Sequence, residues 1–244
     1  MSTSTLRRTS LALVLVCGCR PFAAAPATPA AATSSGNDAP APAPRRDPAT
    51  ALAELEARLL GAQMLSLTFE IVADSPGDVR TTVRGVVRVD ADGRAALQAG
   101  GTVLGQVGEA TLQCDGTTLQ GRAGTARLEL PCPPQLREAV VVGLVRMGLL
   151  HNVARAWSAR APDRADGGIQ DWVALAQPRD AVLEGKPGGI AFDIAVDGQP
   201  VGEGALLRDD AGLPVLRTQT VHFPDGDMHV VERYESVVIE PASP

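Results

Sequence analysis

The spacing of apolar residues divides the chain into helical and extended stretches. Residues 48–60 have helical spacing, because leucines recur every three or four positions at Leu52, Leu55, Leu59 and Leu60. Asp47 is a suitable N-cap, Pro48 suits the first turn, and Gly61 ends the helix. From Met64 to Ala73 the period becomes two, which predicts a strand with one buried face.

Further short strands, separated by turn residues, follow this first one. Val79–Asp90 alternates in the same way after a turn at Ser75–Asp78. The later turns up to Leu130 are marked by Asp92-Gly93, Asp115-Gly116 and the Gly121–Gly124 corner. This turn chemistry predicts an antiparallel meander.

A second, longer apolar stretch has helical spacing from Gln135 to about Trp157. Gly143 and Gly148 lie inside it and each costs about 1 kcal/mol relative to Ala, so they mark either close packing or a bend. Residues 161–189 are expected to be irregular, and strands resume from Ile190 to Glu240. The order predicts an α+β fold with one antiparallel sheet and helices on one face.

The first 18 residues have the features of a lipoprotein signal peptide. Arg7 and Arg8 precede an apolar run, residues 11–18, which is too short to span a bilayer of about 30 Å. The run ends in Val16-Cys17-Gly18-Cys19, which resembles a bacterial lipobox. That resemblance implies that Cys19 carries acyl chains such as palmitate, which would anchor the protein to a membrane. The alternative is cleavage after Ala25, which would release a protein without an anchor.

Composition separates a tether from a folded domain. Residues 19–46 are mostly Ala and Pro without hydrophobic periodicity, which predicts a flexible linker. Residues 47–241 are predicted to form one domain, large enough to fold without a metal. Without the two leader arginines the chain has 20 basic and 28 acidic residues, a net charge of −8. This charge argues against nucleic-acid binding and against electrostatic capture by anionic lipid.

Two cysteines remain within the domain. Cys114 and Cys132 form an even pair in an oxidising compartment, which predicts a disulfide. It would close a loop of about 19 residues and contribute about 3 kcal/mol in the chain-entropy model. Two buried free thiols are the alternative. A metal site is disfavoured, because neither cysteine has a CxxC partner.

The layout resembles the LolA/LolB-type superfamily of periplasmic lipoprotein carriers and related lipid-binding envelope lipoproteins. The resemblance is carried by the helix ending at Leu59-Leu60, the strand Met64–Ala73, the segment Gly85–Asp90, the Asp115-Gly116 turn, and the closing run with Gly212–Val215, Phe223–Asp227 and Glu232–Tyr234. It implies a strongly curved antiparallel sheet, an incomplete β-barrel, covered on its concave face by helices. It also implies that acyl chains bind between the sheet and the helices.

We therefore expect a lipid-anchored protein of the bacterial envelope, facing the periplasm at the outer membrane, that binds a lipid or an acylated lipoprotein. Burial of acyl chains would supply the affinity. The expected lining of a partly vacant apolar cavity is Leu67, Phe69, Ile71, Val83, Val87, Leu144, Met147, Phe192, Ile194 and Leu207. The alternative for each is ordinary core packing. At the level of the whole protein, the alternative is a structural or scaffolding lipoprotein with a filled core.

No catalytic or cofactor site is predicted. The chain lacks Gly-x-Ser-x-Gly, His-Glu-x-x-His and phosphate-binding glycine motifs. His222 and His229 are expected to face each other across a hairpin, but a metal site would need a third ligand, and a solvated pair is favoured. His151 is expected at a polar helix end or buried with its hydrogen bonds satisfied. Glu232, Arg233 and Glu235 are expected to be exposed strand charges. A hydrolase remains a third alternative.

Overall fold

The computed structural model describes residues 47–77, 79–103, 105–160 and 173–240. The helices are α1 (Pro48–Leu60), α2 (Leu136–Val142), a π-helical turn (Gly143–Met147) and α3 (Leu150–Trp157). The strands are β1 (Met64–Ser75), β2 (Val79–Asp90), β3 (Ala95–Val103), β4 (Gln106–Cys114), β5 (Thr118–Ala123), β6 (Ala126–Pro131), β7 (Val173–Leu183), β8 (Lys186–Val196), β9 (Gln199–Arg208), β10 (Pro214–Phe223) and β11 (Gly226–Glu240). We refer to Leu136–Trp157 as the helical cover.

All eleven strands belong to one antiparallel sheet. Their order is β6-β5-β4-β3-β2-β1-β11-β10-β9-β8-β7. Strands β1–β6, which precede the helical cover in sequence, form one half of the sheet, and β7–β11, which follow it, form the other. The two halves join where β1 pairs with β11. The outermost strands, β6 and β7, are the two ends of this order, and the sheet is therefore open. The α+β fold class predicted from the sequence, an open antiparallel sheet with helices, is confirmed.

The contacts of the helical cover require the sheet to curl. Arg146 donates a hydrogen bond to the carbonyl of Val173 on β7, and the indole of Trp157 lies over Gly108 on β4. These strands are eight steps apart, which in a flat sheet is roughly 38 Å at about 4.8 Å per step. Arg146 and Trp157 are eleven positions apart, which corresponds to a rise of only about 17 Å along a helix. A concave sheet that wraps around the cover brings both strands within reach.

Helix α1 forms where the sequence predicts it. The Asp47 carboxylate accepts a hydrogen bond from the Thr50 backbone N–H at 2.9 Å, and Gly61 is the C-cap. Its leucine stripe is buried at Leu52, Leu55 and Leu59. Capping and burial of one face are sufficient to account for this short helix.

Two segments differ from the prediction. The single helix predicted up to Trp157 is divided, because Gly148 has φ 80° and ψ 173°, a conformation that only glycine adopts without strain. Both alternatives predicted for this glycine are observed, because the bend coincides with close packing against Glu232. The predicted irregular stretch 161–189 contains β7 and the start of β8; residues 161–172 lie outside the described part. Bulges in β7 and φ 50° at Gln177 interrupt the alternation by which the strand could have been recognised.

The two faces of the sheet differ in chemistry. The concave face and the helices form one large apolar core that includes residues from α1 to β11. On the opposite, convex face, Glu184 in the turn between β7 and β8 pairs with Arg233 on β11, and Glu70 on β1 pairs across the strands with Arg84 on β2 at 2.7 Å. Cross-strand opposite charges of this kind are typical of a solvated sheet face.

Candidate functional site

The concave face holds most of the residues predicted to line a cavity. Eight of the ten belong to the main core and are at most 2% exposed: Leu67, Phe69, Ile71, Val83, Val87, Leu144, Phe192 and Ile194. Met147 is partly buried and packs against this core. The structure therefore brings these residues together under the helical cover. The cover packs on them, and whether a vacant space lies between them stays a prediction.

Leu207 is a correction to the predicted lining. It lies on the convex face, in a separate small cluster with Leu183 and Leu216. Its neighbour Leu206 faces the main core instead. The prediction assigned the wrong face of β9 to the core, because the inward-facing positions before Leu206 are glycines. At one of them, Gly204, there is no room for a side chain, since a Cβ would lie 2.8 Å from the ring of Phe192. The inner face of β9 therefore lacks the apolar alternation that identifies a strand's buried side.

A buried polar cluster faces the helical cover on the other half of the concave face. It consists of Arg217 on β10 and of Glu232 and Tyr234 on β11, all at most 4% exposed. Arg217 and Glu232 lie directly opposite each other in the strand pairing. The Tyr234 hydroxyl donates a hydrogen bond of 2.7 Å to the Glu232 carboxylate. We call these three residues the polar cluster.

The Glu232 carboxylate binds the first turn of α3. It accepts hydrogen bonds from the backbone N–H groups of Leu149 and Leu150, both at 2.8 Å. These are amides that a helix leaves without partners at its N-terminus, where its dipole favours negative charge. Gly148 makes this approach possible, because a Cβ there would lie 2.7 Å from the carboxylate.

Arg217 binds the end of the helical segment before the break. Its guanidinium donates to the carbonyls of Val145 at 2.6 Å and of Arg146 at 2.7 Å. It also lies 5.2 Å from the ring centre of Phe192, within the range of a cation–π contact. Positive charge is favourable at the C-terminal end of a helix. Arg217 and Glu232 thus hold the two helix ends that meet at Gly148.

The electrostatics of the cluster follow from its burial. Burial and the neighbouring Glu232 carboxylate raise the pKa of the Tyr234 hydroxyl far above its ordinary value, so Tyr234 keeps its proton and remains a donor. Burial lowers the pKa of Arg217, and this effect is opposed by Tyr234 and Glu232. Removal of the Glu232 carboxylate would therefore leave the Tyr234 hydroxyl and two backbone amides without their acceptor, and Arg217 without a nearby negative charge.

The sequence analysis missed this cluster. Glu232 was predicted to be an exposed strand charge, and this is wrong, since it is 1% exposed. Arg217 was not identified at all. The signal was present in the period of β11, because Val230, Glu232 and Tyr234 share one phase of the strand and two of the three are apolar or aromatic.

The first part of the helical cover has further polar attachments. Arg137 of α2 donates to the carbonyls of Leu60 at 2.9 Å and Leu59 at 3.3 Å, at the C-terminal end of α1. Arg146 pairs with Glu56 of α1 at 3.0 Å. The segment that enters α2 is attached covalently, because the structure contains the Cys114–Cys132 disulfide. α2 and the π-helical turn are thus fixed at several points.

Beyond its first turn, α3 meets the sheet mainly through apolar side chains. Val153 and Ala156 are fully buried, and α3 packs on β3, β4 and β5. The ring of Trp157 lies against Gly108, where a Cβ would be 3.4 Å from the indole. The amide nitrogen of Asn152, a residue 8% exposed, faces Gly143 and has no hydrogen-bond partner among the described residues. An unpartnered buried donor weakens the docked state of α3.

The predicted histidine pair is not formed as expected. The turn is centred on Pro224-Asp225, so His222 lies opposite Asp227 and His229 opposite Thr220. The His222 ring is 2.9 Å from the Asp227 carboxylate, and both are exposed. Among the described residues, no group of three or more His, Cys, Asp or Glu side chains is arranged to hold a metal. His151 is half-buried on α3, and burial, helped by the charge of Arg155, lowers its pKa to about 4.

Several predicted features lie outside the described residues. These are the signal peptide at residues 1–18, Cys19 with its lipid, and the linker at residues 19–46. Within the described part of the chain, none of the helices has the length and apolar character that a membrane crossing needs.

Comparisons with known proteins concern the fold. No family model matches the sequence, and no curated protein matches it. Similar solved structures include a LolA superfamily protein from Nitrosomonas europaea, with 11% identity, 81% of this chain and 94% of that chain covered, and a TM-score of 0.43. LprF from Mycobacterium bovis has 10% identity, coverages of 80% and 96%, and a TM-score of 0.34. MucB of Pseudomonas aeruginosa, solved in complex with MucA, has 16% identity, coverages of 80% and 58%, and a TM-score of 0.37.

Proposed function

We propose that the domain is a binding protein, not an enzyme, that takes up an acyl chain of a lipid or of an acylated lipoprotein on its concave face. The observation that carries this proposal is the way the face is closed. An open sheet presents an aliphatic surface, and a broken helical segment covers it. A core built only for stability would not need a cover divided at a glycine and fastened by buried charged groups.

The magnitudes allow a ligand to open this cover. An acyl chain gains about 0.8 kcal/mol per methylene group on leaving water, so roughly a dozen methylenes contribute about 10 kcal/mol. That is comparable to the whole stability of an ordinary domain, about 5–15 kcal/mol. Displacing one short helix costs only part of that stability. Closed packing in the free protein is therefore compatible with acyl-chain binding.

The proposal includes the setting in which the ligand is met. We propose that Cys19 carries the lipid anchor, that the segment at residues 19–46 is a tether, and that the domain faces the periplasm at the outer membrane. The export signal and lipobox resemblance of residues 1–19 support this location. A lipid-anchored protein would meet acyl chains at the membrane surface, and the tether would let the domain reach a lipid or a lipoprotein partner.

Mass spectrometry of the full chain tests the proposal. Under denaturing conditions the intact mass reports lipid bound covalently at Cys19, and a Cys19→Ser variant provides the control. Under native conditions, after mild purification, an additional lipid mass that is lost on denaturation supports acyl-chain binding. A native mass equal to the denatured mass, unchanged after incubation with stearate, would contradict it.

A second candidate is a scaffolding lipoprotein with a filled core, and one observation favours it. The eight predicted lining residues in the main core are already buried by the protein's own helices. In that case no acyl ligand binds, and the domain acts through its surface or a sheet edge. The same native mass measurement separates the candidates, because the scaffold predicts an empty protein in every condition.

A further inference from the structure

The sheet ends in two edge strands that are built differently. The edge strand β7 is bulged at two places, has φ 50° at Gln177 and contains Pro178, which has no N–H. Bulges and prolines are among the features by which proteins keep a sheet edge from pairing with another strand. The edge strand β6 instead pairs with β5 in an uninterrupted register over all six of its residues, and five of the six are exposed. Unlike β7, β6 therefore presents a regular edge to solvent.

The outward-facing backbone groups of β6 belong to alternate residues. The N–H of Cys132 donates to the carbonyl of Thr117, in the same register as the pairs between β5 and β6, so this is a hydrogen-bonded pair. Hydrogen-bonded pairs alternate along an antiparallel ladder, and the N–H and C=O groups of Arg127 and Glu129 therefore point away from the sheet. These two residues offer the groups that a further antiparallel strand would bind.

The side chains of Arg127 and Glu129 have no opposite charge beside them in the chain. Across the ladder, Arg127 lies opposite Arg122, and Glu129 lies opposite the uncharged Gln120. Neither forms an ion pair with another described residue, in contrast to the charge pairs of the convex face. Like charges opposite each other in a sheet are destabilising. An acidic side chain that approaches from outside the chain would offset this repulsion.

A second copy of the same edge places the missing charges in register. When two β6 strands run antiparallel about a two-fold axis at Leu128, Arg127 of each copy lies opposite Glu129 of the other. Both residues have outward-facing backbone groups, so each such pair exchanges both of its N–H···O=C bonds. On the other face of the strands, Leu128 meets its own counterpart, and the exposed Ala126 meets Leu130, which is 37% exposed. Backbone, charge and apolar contacts thus agree on one register.

The neighbouring registers are disfavoured. A shift by one residue sets outward-facing backbone groups against inward-facing ones, so the ladder cannot form. A shift by two residues restores the ladder but places Arg127 opposite Arg127, or Glu129 opposite Glu129. The edge is therefore complementary to itself in a single alignment.

From this self-complementarity we infer that the protein forms a two-fold symmetric dimer through β6, in which the sheets of two copies join into one continuous antiparallel sheet. Leu128 lies at the axis, and Arg127 of each copy pairs with Glu129 of the other. Both concave faces lie on the same side of the combined sheet. The inference is independent of acyl-chain binding and adds a partner, a second copy of this chain.

Cysteine crosslinking tests the register. In the dimer, Ala126 of one copy and Leu130 of the other form a pair without hydrogen bonds, with Cα atoms about 4.5 Å apart, within the range of a disulfide. The two copies of either residue are instead four positions apart along the strands, roughly 14 Å. Full chains with Ala126→Cys and with Leu130→Cys, expressed together in a bacterial host and treated with a mild oxidant, should give a covalent dimer on a non-reducing gel.

Either cysteine variant expressed alone is the matched control and should remain monomeric on the gel. The absence of a covalent dimer from the mixed chains would overturn the inference. Equal crosslinking of the mixed chains and of one variant alone would also overturn it, because it would show contact in another arrangement.

Charge exchange tests the pairing with the same readout. Adding Arg127→Glu to both cysteine variants places Glu opposite Glu in both pairs, and the initial rate of crosslinking should fall about thirtyfold. Adding Arg127→Glu to one variant and Glu129→Arg to the other restores opposite charges in both pairs and should restore the rate, which also shows that the altered chains fold. An unchanged rate in the first combination, or no recovery in the second, would overturn the inference.

Discussion

The two ends of the helical cover contact the same sheet through different kinds of interaction. Over β10 and β11, the cover is attached through the polar cluster, whose hydrogen bonds have a fixed geometry. Over β3–β5, α3 packs mainly through buried apolar side chains such as Val153 and Ala156, whose contacts have no preferred direction. Directional buried bonds fix one arrangement, whereas apolar contact can be exchanged for contact with any other apolar surface. The two halves of the concave face therefore differ in how strictly they fix the position of the cover.

The largest expected effect comes from breaking the polar cluster. Glu232→Ala leaves the Tyr234 hydroxyl and two backbone amides buried without their hydrogen-bond acceptor, and it removes the negative charge that offsets the burial of Arg217. We expect the free energy of unfolding to fall by about 3–5 kcal/mol, as for other broken buried charge networks. Urea denaturation measures this value, and Glu235→Ala, at an exposed position of the same strand, is the matched control with little change. A loss below about 1 kcal/mol for Glu232→Ala would show that the cluster does not hold the cover.

The next effect concerns the covalent attachment at the start of the cover. Replacing Cys114 and Cys132 together by Ser removes a bond that joins β4 to the segment entering α2. The chain-entropy model predicts a loss of about 3 kcal/mol for a loop of this length. Denaturation of the native protein with and without a reducing agent should reproduce the difference. If reduction leaves the unfolding midpoint unchanged, the disulfide contributes nothing beyond the polar attachments.

A smaller effect, dependent on pH, reports on α3 itself. Burial lowers the pKa of His151 to about 4, whereas the unfolded side chain has a value near 6.5. Below pH 6.5 the unfolded state takes up a proton that the folded state refuses, so stability falls by about 1.4 kcal/mol per pH unit until the folded histidine also titrates. Between pH 7 and pH 5, His151→Gln should therefore lose about 2 kcal/mol less than the native protein. Equal losses in the two proteins would place His151 in water.

The smallest effect is expected on the convex face. Arg84 pairs with Glu70 at 2.7 Å, but the arginine is exposed to solvent, where salt and water screen the interaction. Arg84→Ala should leave the urea midpoint unchanged at physiological salt. A clear loss of stability in Arg84→Ala, together with a similar loss in the native protein at high salt, would show that charge pairs stabilise both faces. That result would weaken the contrast with the polar cluster.

The sequence was sufficient for the parts of the fold that obey a single rule. α1 has an N-cap residue, a stripe of leucines on one face and a glycine at its C-terminal end. In β1 and β2, apolar and polar residues alternate regularly. Each of these elements was therefore predicted near its observed bounds. Eight predicted lining residues lie together in the main core for the same reason. Errors arose where two rules compete. Glycines on the inner side of β9 concealed the phase of Leu207, and the turn at Pro224-Asp225 shifted the register of His222 and His229.

The polar cluster could not have been predicted from pattern alone. A charged residue in a strand is most often solvated. Burial of Arg217 and Glu232 is favourable here only because two helix ends pack over β10 and β11 and bind them. This packing depends on the conformation of Gly148, which is a tertiary feature. The row formed by Ala99, Ala110, Ala123 and Ala126 across β3–β6 likewise exists only through strand register, since its members are 11, 13 and 3 residues apart in sequence.

Native-state hydrogen exchange of the free full chain, in low concentrations of urea, tests the contrast between the two ends most directly. It measures an opening free energy for each slowly exchanging amide. We predict that the amides of residues 153–157 open several kcal/mol more readily than those of residues 139–145 and of β11, in a local event that leaves the polar cluster intact. Exchange of both groups only through global unfolding, with one shared free energy, would contradict the account.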